Sequence, residues 1–586
     1  MKIVSKIYKK TILATMVAFG ATMSSCTDYL TIIPADVVVE EEYWQTKDDV
    51  NGVLATSYLK LLSEDAVKRA IVWGELRSDN MTYPTSYSTD IKNIVEANIT
   101  DENSYCNWSI YYEAISNANL VLESAPQVVD RDPDFSEGDL DVVMGEMYAM
   151  RALCHFYLVR TFRDIPLALK SAKNDAEIPE YRQAHPLEAL DLIMQDLDSA
   201  ENKVMKSGAF STDQQNYGRI TKNAVLAIKA DVNLWRAAFT KYYEGTEYKK
   251  VYSEGTVSVL PGDDQKYYDE CIEVCEEVIK KMDDALEEEN KGKPVEKYPY
   301  NLIPNRGEVA ELERSLQSTA YDEIFGSSKN SSESIFELQV QGDNIKNGKY
   351  NGVCDMYGTE GTSGQHSVIV PQRFVISNYQ ADDLRAFSFT TTKADEFKPN
   401  AQTPTDPTYI AKYAAKASPA GSYRKSDEWD ANWILYRRTD VLLMMAEAMV
   451  TRDDADENDY SIAFDIVNAI NTRSRINADD IVNPLKIENY DSKEAYMELV
   501  RKERLLELSY EGKRWFDLVR QALREKKTDN IKFVANKVGS GAGVIMTKMS
   551  TIDGLFMPIH INELRYNKLL KQNPAYDKKD SSMEMN

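Results

Sequence analysis

Flat aromatic rings alternate with planar polar groups in one early stretch of the 586-residue chain. Within fifteen residues the chain supplies Trp73, Arg77, Asp79, Asn80, Tyr83 and Tyr87. Aromatic rings can stack on the apolar face of a sugar, while carboxylate, amide and guanidinium groups bond its hydroxyls at fixed angles. This mixture of residue types makes the stretch a candidate surface for a polar ligand that stacks on aromatic rings.

A second stretch with the same chemistry follows much later in the chain. It contributes Tyr357, Arg373, Tyr423, Trp429 and Trp433. All lie in residues 340–433, which are rich in Gly, Thr, Tyr and Pro and have no sustained helical period; long irregular segments on a rigid scaffold often bind ligands. We predict that folding brings the two stretches together. For Trp73 and Trp433, which adjoin helical segments, a core position is the alternative interpretation.

Three glutamates near the end of the chain are spaced so that they share one helical face. Glu503, Glu507 and Glu511 follow the pattern i, i+4, i+8, and unpaired carboxylates at that spacing repel. Such a cluster could be catalytic or could bind metal. We instead interpret it as an ion-pair network, because counter-charges are close in sequence. The nearest are Arg501, Arg504 and Arg514.

Other catalytic and metal-binding chemistry lacks its motifs. The sequence has no Gly-x-Ser-x-Gly elbow, no Gly-rich phosphate loop ending in Lys-Ser/Thr and no Glu-x-x-His pair. It has four histidines, and its six cysteines include no Cys-x-x-Cys pair. We therefore predict no catalytic residue, no bound metal and no cofactor. The net charge of −25 also argues against a nucleic-acid partner.

The first 26 residues have the pattern of a targeting segment. A basic start is followed by the apolar run from Thr11 to Met23, which is too short to span a membrane and fits a signal peptide. Small residues then precede Cys26, as in a bacterial lipobox. We predict removal of residues 1–25 and lipidation of Cys26. The alternative is a secreted soluble protein in which the position of Cys26 is coincidental.

Helical periodicity dominates the elements that must position these residues. Apolar side chains recur every three or four residues over long segments, and pairs of small and aromatic residues are typical of tetratricopeptide-like helix packing. The best strand-like runs are Glu333 to Val340 and Val368 to Val375. Residues 243–265 and 286–310 are predicted to be loops.

Seven segments of the sequence are informative when they are taken together in chain order. The sharpest is VRKERLLELSYEGKRWFDLVR, from Val500 to Arg520. The others are Cys26 to Leu30 with Pro34, Met150 to Leu169, Gly218 to Trp235, Ile434 to Met449, Val467 to Ile476 and Leu555 to Tyr576. In this order they resemble the SusD/RagB family of Bacteroidetes surface lipoproteins. Arg163 stands where the family more often has glycine.

This resemblance implies an all-α, SusD-like fold: a tetratricopeptide-like helix-pair scaffold with a long irregular ligand-binding excursion and a few short strands. We expect a signal peptide (1–25), an N-terminal helical segment (26–240), a helical and loop insertion (241–330) and a C-terminal segment (331–586) packed with the N-terminal part as one globular unit.

The resemblance also implies a function. We expect a non-enzymatic lipoprotein, anchored in the outer membrane and exposed at the cell surface, that binds a glycan and delivers it to a SusC-like TonB-dependent transporter. An adhesin or peptide-binding lipoprotein is one alternative, and a lipid-anchored glycoside hydrolase is another.

Overall fold

The computed structural model describes residues 43–84, 87–171, 181–293, 298–307, 319–326, 329–340, 352–357, 368–380, 382–390, 409–410, 412–413 and 431–577. The predicted signal peptide, the predicted lipidation site Cys26, and the predicted ligand-binding residues Tyr423 and Trp429 lie outside these ranges.

Helices make up most of the described chain. In chain order they are α1 (Lys47–Leu62), α2 (Glu64–Ile71), α3 (Thr89–Val95), α4 (Ser109–Ser124), α5 (Glu137–Phe162), α6 (Pro186–Glu201), α7 (Asp213–Gly218), α8 (Lys222–Tyr243), α9 (Gln265–Glu289), α10 (Ala320–Phe325), α11 (Gly352–Tyr357), α12 (Arg438–Thr451), α13 (Glu457–Arg473), α14 (Lys493–Leu508), α15 (Arg514–Glu525), α16 (Ala542–Lys548) and α17 (Ile561–Tyr566). A π-helical turn, Val72–Leu76, continues α2.

The strands of the described ranges are short and pair in antiparallel twos. They are β1 (Met81–Thr82), β2 (Ile165–Pro166), β3 (Gln183–Ala184), β4 (Glu247–Lys249), β5 (Thr256–Ser258), β6 (Ser334–Leu338), β7 (Val370–Pro371), β8 (Phe389–Thr390), β9 (Tyr409–Ile410) and β10 (Trp433–Arg437). The pairs are β1 with β7, β2 with β3, β4 with β5, β6 with β10 and β8 with β9. This mostly helical architecture confirms the predicted all-α scaffold with a few short strands.

Local sequence signals set where several long helices begin. Thr46, Ser136 and Asp456 each form a capping box with an aspartate three residues later, at the starts of α1, α5 and α13. Each cap satisfies backbone N–H groups that would otherwise lack partners and contributes about 1 kcal/mol. The helix ends are therefore determined by residues that stand next to each other in the sequence.

The end of α5 depends on contacts that are distant in sequence. Arg163 adopts a φ of 67°, in the left-handed region that favours glycine. Its guanidinium pairs with Asp164, 2.6 Å away, and with Asp553. These ion pairs hold the turn in a conformation that an arginine rarely adopts.

Small residues let the central helices approach one another. Along α8 the alanines at 224, 227, 230, 237 and 238 are buried, and α8 packs against α6, α9 and α15. The indole of Trp235 meets the ring of Phe516 edge to face, with the ring centroids 6.0 Å apart. The middle of the chain therefore shares a core with the C-terminal helices. Within the described ranges, no helix is both long and apolar enough to cross a membrane.

Three local predictions need correction. The run Val368 to Val375 forms only the two-residue strand β7, because Pro371 cannot donate to a ladder and the chain turns into a 3-10 helix at Arg373–Asn378. The predicted loop 243–265 contains the β4–β5 hairpin. Helix α9 extends to Glu289, into the predicted loop 286–310. The run Glu333 to Val340 does form a strand, β6.

Candidate functional site

The early aromatic stretch lies directly beside the later irregular stretch. Met81 pairs with Pro371 and Thr82 with Val370 in the β1–β7 ladder. The Gln372 backbone N–H extends this contact by donating to the Asn80 carbonyl oxygen at 2.7 Å. The ladder therefore fixes β1 against β7 of the irregular stretch.

Two tyrosines just after β1 form an accessible aromatic pair. The rings of Tyr83 and Tyr87 meet edge to face, with their centroids 4.9 Å apart at an interplanar angle of 62°. Tyr83 is half-buried, and Tyr87 keeps 46% of its surface exposed. Charged groups from α3 border the pair: Lys92 Nζ lies 5.1 Å from the Tyr87 ring centroid, and Glu96 follows one turn later. We call Tyr83, Tyr87, Lys92 and Glu96 the tyrosine platform.

The polar groups of the tyrosine platform are oriented by one another. The Tyr83 hydroxyl donates to Glu96 Oε1 at 2.6 Å, and Lys92 Nζ donates to the Tyr87 hydroxyl at 3.5 Å. The bond to Glu96, assisted by partial burial, raises the pKa of Tyr83 to about 12, so this phenol stays neutral at physiological pH. The platform thus offers aromatic faces, a cation and a carboxylate within one small area.

Three aromatic rings of the two stretches lie in the core, and this corrects the prediction that Trp73 and Tyr357 bind the ligand. Trp73, in the π-helical turn, is 1% exposed; it stacks on Tyr111 at 5.0 Å and donates its indole N–H to the Tyr105 carbonyl. Tyr357 is fully buried and donates its hydroxyl to the Tyr510 carbonyl at 3.1 Å. Trp433, which the sequence analysis assigned to the later stretch, is also buried. For these rings the core interpretation is the correct one.

The polar pair Asp79 and Asn80 is buried as well and has structural partners. Asp79 accepts from the guanidinium of Arg514 at 2.9 Å. Asn80 donates to Glu75 Oε1 at 2.7 Å and to the Ser509 hydroxyl at 3.3 Å. These contacts tie the early stretch to the α14–α15 turn, and they remove both residues from an accessible binding surface.

Glu75 is the centre of this junction, and the sequence analysis did not identify it. Its carboxylate accepts backbone N–H groups of Tyr510, Lys513 and Arg514 as well as the Asn80 amide. Burial raises its pKa, and these hydrogen bonds oppose the shift. Nothing in the local sequence separates Glu75 from an ordinary surface glutamate, because its partners come from a turn about 435 residues later.

A glycine at each side of this junction permits the close approach. A Cβ at Gly74 would lie 1.8 Å from the Gly512 carbonyl oxygen, and Gly512 itself has a φ of +72°. Both positions therefore exclude larger residues. The early stretch is fixed to the scaffold before the chain reaches β1 and the tyrosine platform.

The glutamates at 503, 507 and 511 form a buried ion-pair network, as predicted, but with different partners. Glu507 pairs with Arg473 at 2.6 Å and with Arg437 at 3.0 Å. Arg385 bridges Glu503 and Glu507 at 2.5 and 3.2 Å. Lys412 and Arg437 complete the network at Glu511, 2.6 and 2.8 Å away. We call this group the acid network.

The arginines predicted as partners bind elsewhere. Arg504 pairs with Asp517 at 2.9 Å, Arg514 with Asp79, and Arg501 with Glu525 at 3.3 Å. The side chains of α14 radiate in different directions, so counter-charges on the same helix face away from the three glutamates. The actual partners include Arg385 and Lys412 from the irregular stretch. The acid network thus anchors that stretch to α14.

Charge pairing governs the ionisation of the network. Burial raises the pKa of Glu507, but Arg473, Arg437 and Arg385 outweigh it and lower the pKa below its usual range. Glu507 therefore stays ionised, and its charge is compensated by the neighbouring arginines. Among the residues that the structure describes, no group of three or more His, Cys, Asp or Glu side chains could hold a metal ion.

The side chains of three predicted binding residues lie outside the described part of the structure. Arg373 begins the 3-10 helix after β7, and its side chain lies outside the described part of the structure. Tyr423 and Trp429 also lie outside it. Of the predicted binding residues, the structure therefore leaves Tyr83 and Tyr87 together at an accessible surface.

Comparison with known families identifies the class of protein that has this fold. Residues 393–576 match the model of the SusD family, and residues 35–234 match a model described as "Starch-binding associating with outer membrane". The chain belongs to the SusD/RagB family. This is a family of outer-membrane-associated glycan-binding proteins that are generally non-catalytic.

Individual relatives cover nearly the whole chain. SusD-like protein P38 of Formosa agariphila is 25% identical over 94% of this chain and 96% of its own length, and SusD-like protein P2 of the same organism is 24% identical over 87% and 90%. Solved SusD superfamily structures from Bacteroides thetaiotaomicron and Parabacteroides distasonis share the fold. Their TM-scores are 0.61 and 0.60 at 18% and 23% identity, covering 91% and 90% of this chain and 99% of each structure.

Proposed function

We propose that this protein is a cell-surface lipoprotein that captures oligosaccharides or polysaccharides at the tyrosine platform and delivers them to a SusC-like TonB-dependent transporter. The observation that carries the proposal is the exposed Tyr83–Tyr87 pair, bordered by Lys92 and Glu96. Family membership supports the glycan as ligand and the outer membrane as location. The partner transporter, the lipid on Cys26 and the division at residues 25, 240 and 330 belong to the same proposal.

The platform suits a polyhydroxylated ligand for chemical reasons. A sugar ring can stack on the exposed face of Tyr87, while Lys92 donates to hydroxyl oxygens and Glu96 accepts from hydroxyl groups. Arg373, Tyr423 and Trp429 remain proposed additions from the irregular stretch. A ligand held between this protein and a transporter would meet both surfaces at high effective concentration, so modest affinity at each surface suffices.

Replacing one ring tests the platform. A glycan array, with maltoheptaose among its members, identifies the oligosaccharide that binds best, and calorimetry then compares variants. Tyr87→Ala is expected to weaken binding several-fold, since an aromatic contact contributes about 1 kcal/mol beyond its area. Tyr566→Ala is the matched control, because Tyr566 is 82% exposed and outside the platform. Equal affinity in Tyr87→Ala, Trp429→Ala and the control would move the site elsewhere.

The lipid anchor has a separate test. Cys26→Ala is expected to leave unprocessed precursor or to release mature protein into the soluble fraction, because acyl chains on Cys26 would be the membrane attachment. Cell fractionation with mass determination of the N-terminus measures this. Cys106→Ala is a control at a buried thiol. A fully processed, membrane-bound Cys26→Ala product would contradict the anchor but not the glycan site.

A further inference from the structure

A polar cavity lies apart from the tyrosine platform and shares no residue with it. It has a volume of about 320 Å³ and lies between α14, the end of α13 and the loop that joins them, with Asn378, Gln380 and Asp383 of the irregular stretch closing one side. Ligand pockets for small molecules begin at about this size. The cavity is therefore large enough to take one small ligand rather than a long chain.

The floor of this cavity is a rigid set of buried polar groups. Asn471 Oδ1 accepts from Arg475 Nε and Nη2 at 3.3 and 2.8 Å, and its amide donates to Glu503 Oε2 at 3.2 Å. Arg385 holds the other oxygen of Glu503 at 2.5 Å. Each side chain is oriented by its neighbours before any ligand arrives, which lowers the entropic cost of binding.

The floor keeps unused hydrogen-bonding capacity. Arg475 has five N–H donors; two are given to Asn471 and one to Asp382, at 2.7 Å from Nη1. Two donors therefore remain without an acceptor among the described residues. Glu503 Oε2 accepts one hydrogen bond within those ranges and can accept another. Adjacent unused donors and acceptors match the vicinal hydroxyls of a sugar, each of which both donates and accepts.

The walls continue the same chemistry. Side-chain amides at 378, 380, 483 and 489 line the cavity and make no hydrogen bond to another residue of the described ranges. The ring of Tyr490 also lines it, held in place by Tyr496 and Phe464 with centroids 5.8 and 5.9 Å away. A fixed ring and free amides can contact the apolar face and the hydroxyls of a sugar, respectively.

Most charges of the lining already have partners among neighbouring residues. Asp383 and Glu503 pair with Arg385, Glu498 pairs with Arg501, and Arg475 pairs with Asp382. Because these charges are already compensated, the hydroxyls of a neutral sugar suit the remaining hydrogen-bonding capacity better than an ionic group does.

We propose that this cavity is a second carbohydrate-binding pocket, which takes one neutral sugar unit. It goes beyond the proposed function, because its lining is separate from the tyrosine platform and its occupancy does not require the platform to bind. The exposed residues of the rim make it accessible to free sugars.

Titration of single sugars into the purified full chain tests the pocket. The probes are glucose, galactose, mannose, xylose and N-acetylglucosamine, with glucuronate as the anionic counterpart. We expect at least one neutral probe to slow hydrogen exchange at residues 378–383 and 483–490. Asn489→Ala is expected to weaken that probe about tenfold, as for the loss of one well-placed hydrogen bond. Glu488→Ala is the matched control, since it lies on the same exposed turn outside the lining.

Further variants separate this proposal from the platform. Tyr83→Ala/Tyr87→Ala should leave the pocket's probe affinity unchanged while it weakens oligosaccharide binding. Asn378→Ala is expected to weaken binding of the same neutral sugar, because Asn378 lines the cavity on the side opposite Asn489. A folding defect in one of the two variants therefore does not decide the outcome. Absence of protection by every neutral probe, tighter binding of glucuronate, or unchanged affinity in both asparagine variants would overturn the second pocket and would leave the platform intact.

Discussion

The acid network and the tyrosine platform use similar groups in opposite surroundings. In the acid network, the carboxylates of Glu503, Glu507 and Glu511 are buried and each is paired with cations. In the platform, Tyr87 is half open to solvent, and the cation and the carboxylate beside it contact the two tyrosines and each other. One region uses its polar groups to hold the chain together, and the other leaves them accessible.

This difference indicates that one region stabilises the fold and that the other is free to bind a ligand. A buried carboxylate whose oxygens are all paired with protein groups, such as Glu507 or Glu511, has little capacity left for a ligand, and it is costly to disturb. Exposed rings and charges contribute little to folding but can exchange water for a ligand. Because Arg385 and Lys412 link the irregular stretch to α14, the acid network anchors that stretch to the helical scaffold.

The largest expected effect is loss of stability when the acid network is broken. Glu507→Ala leaves three arginines without their shared anion and should lower the free energy of unfolding by about 3–5 kcal/mol. Urea denaturation measures this, with Asp529→Ala at an exposed ion pair as a control expected to change nothing measurable. Affinity for the array-selected oligosaccharide should persist in the folded fraction. Intact stability with lost binding would place Glu507 in the binding site.

The second expected effect is a pH dependence of stability that arises from Lys537, which contacts the early aromatic stretch. Lys537 donates to the carbonyls of Leu76 and Ser78, and burial, opposed by Asp79, lowers its pKa to about 7 from 10.5. Between about pH 7 and pH 10.5, Lys537 is protonated in the unfolded chain but neutral in the folded chain. The free energy of unfolding therefore rises with pH in this range, by at most about 1.4 kcal/mol per pH unit.

Lys537→Met should remove this rise between about pH 7 and pH 10. Chemical denaturation across that range measures the slope, and Lys532→Met, on the exposed side of the same segment, should keep the wild-type slope. A slope that is unchanged in Lys537→Met would show that this ammonium keeps its ordinary pKa in the folded protein.

The sequence predicted features that depend on neighbouring residues. Helical periodicity and the ordered family segments predicted the scaffold, and the spacing of three glutamates predicted a charge network. It did not reveal their partners: Arg385 and Arg437 lie 122 and 70 residues from Glu507. Asp79 and Asn80 have the composition of an exposed loop, yet they are buried by contacts with the α14–α15 turn.

The smallest expected effect separates the ring of Tyr83 from its hydroxyl. Tyr83→Phe keeps the aromatic face and removes the bond to Glu96, so oligosaccharide affinity should change by less than about twofold while Tyr83→Ala weakens it further. Calorimetry of the two variants side by side makes the comparison. Equal losses in both would assign the binding contribution to the hydroxyl instead of the ring.

The most direct test of the account is to map where an oligosaccharide binds. Hydrogen exchange of the full protein, with and without the array-selected oligosaccharide, compares residues 81–96 with residues 507–520. The account predicts slower exchange at 81–96, loss of that protection in Tyr83→Ala/Tyr87→Ala, and no change at 507–520. Protection confined to 507–520, or protection of 81–96 that survives in the double variant, would contradict it.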